Sequence, residues 1–205
     1  MAGPTLLLAT SNPGKRLELQ AFVPPGIAIL TLKDVDIVPP PEDGASFVEI
    51  ACTKATFAAN ATGMIAIADD SGLEVDALGG APGIWSARYA GEPTDDARNR
   101  SLLLTNLAEV PEKDRGARFR CAVAVATPDG VVTVGEGFCA GSIGCRDVGT
   151  NGFGYDALFR LSDGRTMAEL TTDQKNRISH RARAYEQIAP VIARLFTVES
   201  RREQS

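Results

Sequence analysis

The chain has a single histidine, His180, and four cysteines, Cys52, Cys121, Cys139 and Cys145, none of them in CxxC spacing. That is too little for a His-rich zinc site or a paired redox motif, and reduced thiols are expected. No basic segment precedes the apolar stretch Leu6 to Ala9, which is too short for a signal-peptide core or a membrane span, so a cytoplasmic location with no membrane partner is expected. Positive charge is also scarce, with 21 Lys and Arg against 26 Asp and Glu and a net charge of −5. No nucleic acid partner is expected, because duplex binding relies on an extended basic surface; any bound phosphate should meet a small basic pocket. There is no G-x-S-x-G elbow, so a Ser-His-Asp hydrolase built on His180 is set aside. Internal repeats, low-complexity tracts and clear linkers are missing too. What remains, 205 residues that are 44% hydrophobic and 23% charged, is an ordinary globular composition, expected to form a single domain over 1–205 with one core or two closely joined lobes.

The order of elements is mixed. Thr5 to Ala9 reads as a strand, Asn12-Pro13 as a cap and first turn leading into a helix over Lys15 to Val23, and Ile27 to Leu32 as a second strand after Pro24-Pro25-Gly26. Ser46 with Glu49 forms a capping box opening a helix that stops near Gly63. Thr94-Asp95-Asp96 should cap a helix to Leu107. Arg118 to Thr127, Pro128-Asp129-Gly130 and Val131 to Val134 read as a hairpin, followed by a strand near Tyr155 to Phe159. A helical region from Thr172 to Phe196 should bend or break at Pro190. Helical crossovers beside a hairpin indicate an α/β unit with a mixed sheet.

Chemistry concentrates at four places. Asp69-Asp70-Ser71-Gly72 follows the apolar run Met64 to Ala68, so the two carboxylates are expected where a buried strand ends and ligand crevices form. Adjacent carboxylates with a hydroxyl and a glycine suit a hard cation such as Mg²⁺, and one could deprotonate water; an Asp-Ser-Gly turn that merely ends the strand is the plain alternative. Thr10-Ser11-Asn12-Pro13-Gly14-Lys15 is a strand-to-helix turn whose free N–H groups and helix dipole favour an anion. It is not a P-loop, since the first glycine is missing and Arg16 follows Lys15, and an ordinary capped helix explains the same residues. Asn151-Gly152-Phe153-Gly154-Tyr155-Asp156 contains G-x-G-x-x-A, without the strand and helix that a dinucleotide fingerprint needs. Its aromatics between glycines could stack a planar base, worth about 1–3 kcal/mol, or pack into the core. The near-match Gly135-Glu136-Gly137-Phe138-Cys139-Ala140 also lacks a helix and is discarded. Finally, Lys175 and Ser179-His180-Arg181 lie among Arg177 and Arg183, either as a charged helix face or as donors to base carbonyls and phosphate.

In order along the chain, Thr10 to Lys15, Phe47-Val48-Glu49, Ala68-Asp69-Asp70-Ser71-Gly72-Leu73, Gly79-Gly80-Ala81-Pro82-Gly83, Ser86-Ala87-Arg88-Tyr89, Gly152 to Asp156 and Ser179-His180-Arg181 resemble the Ham1 family of inosine/xanthosine triphosphate pyrophosphatases. The resemblance covers nearly the whole chain. It implies a homodimeric α/β enzyme of Ham1/Maf-like fold, with a long mixed β-sheet flanked by helices and two lobes with a central cleft. The implied reaction is hydrolysis of ITP, dITP or XTP to the monophosphate and pyrophosphate with Mg²⁺. By position, Asp70 matches the proton acceptor and metal ligand, Asp69 its acidic neighbour and a further metal candidate, and Ser71 a substrate contact. Thr10, Ser11, Asn12, Pro13, Gly14 and Lys15 match phosphate binding; Phe153, Gly154, Tyr155, Asp156, Lys175, His180 and Arg181 match the remaining substrate and base contacts. Pro41 stands where many members carry a second acidic metal ligand, which leaves Glu42 as the candidate. Ile50-Ala51 replaces the common Asn-Ala, and Ala157 a common proline. A nucleotide-binding protein without turnover, or a pyrophosphatase of similar fold acting on other nucleotides, fits many of the same residues.

Overall fold

The computed structural model describes residues 3–10, 13–130 and 132–202. Strands β1 (Thr5–Leu8), β2 (Ala28–Thr31), β3 (Ala66–Val75), β4 (Gly116–Ala126), β5 (Val132–Ile143) and β6 (Phe159–Arg160) form one sheet in the order β2-β1-β3-β4-β5-β6. β1 runs parallel to both neighbours, with Leu7 opposite Leu30 and Ala66, whereas β5 and β6 are antiparallel, with Ile143 opposite Phe159. The mixed α/β sheet agrees with the expected fold class. Helices are α1 (Pro13–Gln20), α2 (Phe47–Thr62), α3 (Asp96–Asn106), α4 (Thr172–Lys175) and α5 (His180–Arg202). Among the described residues no helix is long and apolar enough to cross a membrane.

The chain divides into two compact units. The first takes in residues up to Asp70, 122–136 and those from Arg181 on; the second takes in 71–121 and 137–180.

In the first unit, Leu6, Leu7 and Leu8 of β1 are fully buried, and each contributes about 1.5–3 kcal/mol by leaving water. α2 buries an alanine-rich stripe, Ile50, Ala51, Ala55, Ala58 and Ala59. Its start and stop follow the sequence signals: Ser46 Oγ accepts the Glu49 N–H at 3.2 Å, and Gly63, at φ 71°, donates to the Ala59 carbonyl at 2.8 Å. The capping box is only half formed, because the Glu49 carboxylate accepts from the Ala45 N–H at 2.9 Å instead of from Ser46. α5 buries Tyr185, Ile188 and Ile192, and Gly135 of β5 permits its close approach: a Cβ there would lie 2.7 Å from the Ala184 carbonyl oxygen. α5 runs through Pro190 without a break. The proline removes one backbone donor, and buried side chains on both sides of it, Ile188 and Ile192, hold the helix in place.

The second unit has its own core of Leu73, Val75, Leu103, Leu107, Phe119, Tyr155, Leu158, Phe159 and Met167, with the Phe119 and Phe159 rings 4.5 Å apart. α3 is capped as expected, the Asp95 carboxylate accepting the Arg98 N–H at 2.8 Å. The strand expected over Tyr155 to Phe159 is displaced: residues 155–158 turn, and pairing begins at Phe159.

One expectation fails outright. Ser71-Gly72 does not turn the chain, and β3 continues through the acidic pair to Val75. β3 has sheet neighbours on both sides, β1 and β4, and their ladder bonds outweigh the turn preference of Asp, Ser and Gly.

Candidate functional site

Because β3 stays extended, Asp69 and Asp70 project to opposite faces of the strand and cannot act as one adjacent pair. Asp69 is fully buried. Its Oδ1 lies 3.0 Å from Lys15 Nζ in the first turn of α1, and its Oδ2 accepts from Arg181 Nε of α5 at 3.0 Å. Arg181 is itself 2% exposed and also pairs through Nη1 with Glu18 of α1. Burial alone would raise the Asp69 pKa, but Lys15, Arg181 and Lys54 outweigh it and hold the carboxyl well below the usual range. A carboxylate sealed from solvent between two cations is not offered to a metal ion. The structure therefore corrects the metal reading of Asp69: its charge balances a buried ion network. Arg181 is likewise committed to carboxylates, which gives it a structural employment not expected of a base or phosphate contact.

Asp70 meets different partners. Its Oδ1 is 3.8 Å from Lys54 Nζ of α2, and that ammonium also bonds Glu42 Oε1 at 2.9 Å and the Asp69 carbonyl at 3.0 Å. Lys15 Nζ reaches the same carbonyl at 3.4 Å, so two ammonium groups converge beside Asp70. Burial pushes the Asp70 carboxyl up to about 6; Lys54 and Lys15 oppose the rise, and Glu42 and Asp69 add to it. Burial works against the Lys54 charge as well, yet Asp69, Glu42 and Asp70 keep its pKa above the ordinary lysine value.

The residues present fit Mg²⁺. Asp70 and Glu42 both lie against the Lys54 ammonium, and Mg²⁺ is commonly held by one or two carboxylates with water and substrate phosphates completing the shell. Among the described residues no group of three or more His, Cys, Asp or Glu side chains is placed to hold a metal unaided. Thr10 is buried just beyond β1, its N–H bonding the Leu8 carbonyl at 2.8 Å, and Gly14 and Lys15 lie in the first turn of α1. Ser11 and Asn12 lie outside the described residues, as does the side chain of Pro13.

The second unit carries the aromatic turn. Gly152 and Gly154 flank Phe153 at φ 78° and 61°, and a Cβ on Gly152 would run into the Asp156 carboxylate. Asp156, 3% exposed, accepts the Phe153 N–H at 3.0 Å and pairs with Lys175 Nζ at 2.8 Å. Lys175, at the end of α4, also sits 4.7 Å from the Phe153 ring centroid. One lysine thus fixes both the carboxylate and the ring. The Tyr155 side chain is a core residue whose hydroxyl donates to the Ser86 carbonyl at 2.8 Å, and burial raises its pKa. His180 is 4% exposed and stacks on Phe119 at 4.8 Å with 16° between planes. Ser71 is half-buried within β3. A cavity of about 280 Å³ is lined by Asp96, Arg100, Asp147, Asn151, Phe153 and Asp156 among others.

Several of these residues escaped the sequence reading. Lys54 had a signal, since it is a charge in the middle of the apolar stripe Ile50, Ala51, Ala55 of α2, where a lysine stays only if paired. Glu18 had none beyond its place one turn after Lys15.

The sequence model of the Ham1 family matches residues 6–191. A dITP/XTP pyrophosphatase of Desulforamulus reducens is 46% identical over 194 residues, 93% of this chain and 96% of that protein. Another of the same name, from Haemophilus influenzae, is 47% identical over 183 residues, 87% of this chain and 94% of that one. A solved structure of a HAM1 protein from Coxiella burnetii superposes with a TM-score of 0.84 at 37% identity, covering 93% of this chain and 99% of that one.

Proposed function

The chain belongs to the Ham1 family, and on that premise we propose that it hydrolyses dITP, ITP and XTP to the nucleoside monophosphate and pyrophosphate, with Mg²⁺ as cofactor, as a cytoplasmic homodimer acting as one functional domain. The observation that carries the reading is geometric: Asp70 lies 3.8 Å from Lys54 Nζ, and the Lys15 and Lys54 ammonium groups both reach the Asp69 carbonyl next to it.

Phosphate chemistry falls to the first unit. Lys15, in the first turn of α1, neutralises triphosphate charge, and Lys54 adds a second cation next to the reacting end. Asp70 and Glu42 would hold Mg²⁺, which when bound supplies Lewis-acid polarisation of phosphate oxygens and acidifies water. Asp70 is the carboxylate placed to accept a proton from water, beside the Lys54 ammonium at 3.8 Å. Lys54 orients that carboxylate and limits the rise of its pKa. Asp69, Arg181 and Glu18 keep Lys15 in place by charge balance in the interior.

Base recognition falls to the second unit. The Phe153 ring offers a face for stacking, with its orientation held through Asp156 and Lys175. Hypoxanthine and xanthine carry a 6-keto oxygen where adenine carries an amino group, so the imidazole donor of His180 favours the former.

Pyrophosphate release measured with Mg²⁺ for dITP, ITP, XTP, ATP and GTP tests the reading. Strong preference for the first three is expected; comparable turnover of all five overturns the specificity, and no turnover of any overturns the reaction.

A further inference from the structure

The turn that presents Phe153 is flanked by glycines at positive φ, so its own backbone resists disorder weakly. Two side chains of α3 hold it from outside. Asp96 Oδ2 accepts the Gly154 N–H at 2.7 Å, and Arg100 Nη1 donates to the Gly154 carbonyl at 2.9 Å. Both polar groups of one residue are therefore bracketed by side chains one helical turn apart. Arg100 is fixed in turn, its Nε lying 3.0 Å from both oxygens of Asp147. Both bonds to Gly154 are charge-assisted, the stronger class of hydrogen bond. Neither Asp96 nor Arg100 is needed by the core of this unit, which is built from Leu103, Leu107 and their apolar neighbours.

We infer that Asp96 and Arg100 are positioning residues for base recognition, acting through Gly154 to hold the Phe153 ring in its stacking orientation. The inference rests on the reading of Phe153 as the base platform. A bracket of this kind acts on substrate affinity and leaves the phosphate chemistry alone, because the residues that polarise phosphate and accept the proton belong to the other unit.

The test compares Asp96→Ala, Arg100→Ala, Asp96→Asn and Phe153→Ala in steady-state hydrolysis of dITP with Mg²⁺. Asp96→Ala and Arg100→Ala are expected to raise KM about tenfold with kcat within about twofold of the parent, which also reports a folded enzyme. Asp96→Asn keeps an oxygen that accepts the Gly154 N–H and should restore KM to within about twofold. Hydrogen exchange at the Gly154 amide should quicken in Asp96→Ala and not in Asp96→Asn. Unchanged KM in both alanine variants, or an Asn variant as impaired as the Ala variant, overturns the inference. If Phe153→Ala raises KM while the bracket variants do not, the platform reading stands and only the bracket fails; if Phe153→Ala leaves KM unchanged, both fail.

Discussion

The first unit holds its reactive side chains with other charged side chains, and the second holds its aromatic turn with bonds to backbone. Asp69, Lys15, Arg181 and Glu18 form a buried network on regular elements, drawing on residues as far apart in sequence as Glu18 and Arg181. Phe153 sits on a glycine-flanked turn, tied at its own N–H by Asp156 and at the next residue by α3. The difference suits the two tasks proposed for these units. Phosphate transfer needs fixed charge that does not reorganise as the transition state forms, whereas stacking needs only a ring held at the correct angle. Damage to the first unit should therefore cost stability or turnover, and damage to the second should cost affinity.

The largest effect on stability is expected from the network. Asp69→Ala removes the partner of Lys15 and Arg181 and leaves their charges buried, and urea unfolding should show a loss of about 3–5 kcal/mol. A loss below about 1 kcal/mol would mean that solvent already screens those cations.

Next comes Lys175→Met, which removes the counter-charge of Asp156 and the cation beside Phe153. The expected outcome is a rise in KM for dITP of about ten- to a hundredfold with kcat changed much less, since lost charge-assisted bonds of this kind are worth about 1.5–3 kcal/mol. A fall in kcat at unchanged KM would erase the division between the units.

The two aspartates give a pH signature. The Asp69 carboxyl is depressed, so its contribution to stability is complete above the ordinary carboxylate range and is lost on acidification. Asp70 is raised to about 6, so the fold favours its protonated form; that contribution is present near pH 4 and disappears as the pH rises through about 6. In metal-free protein, Asp70→Asn should therefore stabilise the fold by about 1–3 kcal/mol at pH 7.5 and by much less at pH 4.5, read by urea titration. An equal change at both pH values would show that Asp70 does not titrate where its burial puts it.

The smallest effect belongs to a helix cap. Ser46→Ala removes the cap of α2 and should cost about 1 kcal/mol of stability, with KM for dITP unchanged.

Much of the fold was legible locally. Ser46, Gly63 and Asp95 mark helix ends in the structure as their side-chain chemistry and backbone freedom demand. What failed was a place where the sheet overrides local preference: β3 passes through Asp-Ser-Gly. For the candidate site, the sequence picks out residues without their tertiary partners. Asp70, Lys15, Phe153, Asp156 and Lys175 all occupy organised clusters, but only tertiary contacts separate Asp70, beside Lys54 and Glu42, from Asp69, enclosed by Lys15 and Arg181. No local pattern announces a partner more than a hundred residues away, as Arg181 is to Asp69. Lys54 was readable in principle as a charge in an apolar stripe.

The most direct measurement is single-turnover pyrophosphate release from dITP with Mg²⁺ by Asp70→Asn. Loss of proton acceptance and of the negative charge proposed to hold Mg²⁺ should together slow the chemical step by about a thousandfold or more, with the far-UV spectrum and unfolding transition of a native protein. Release within about tenfold of the parent rate would contradict the assignment of Asp70 as the reacting carboxylate.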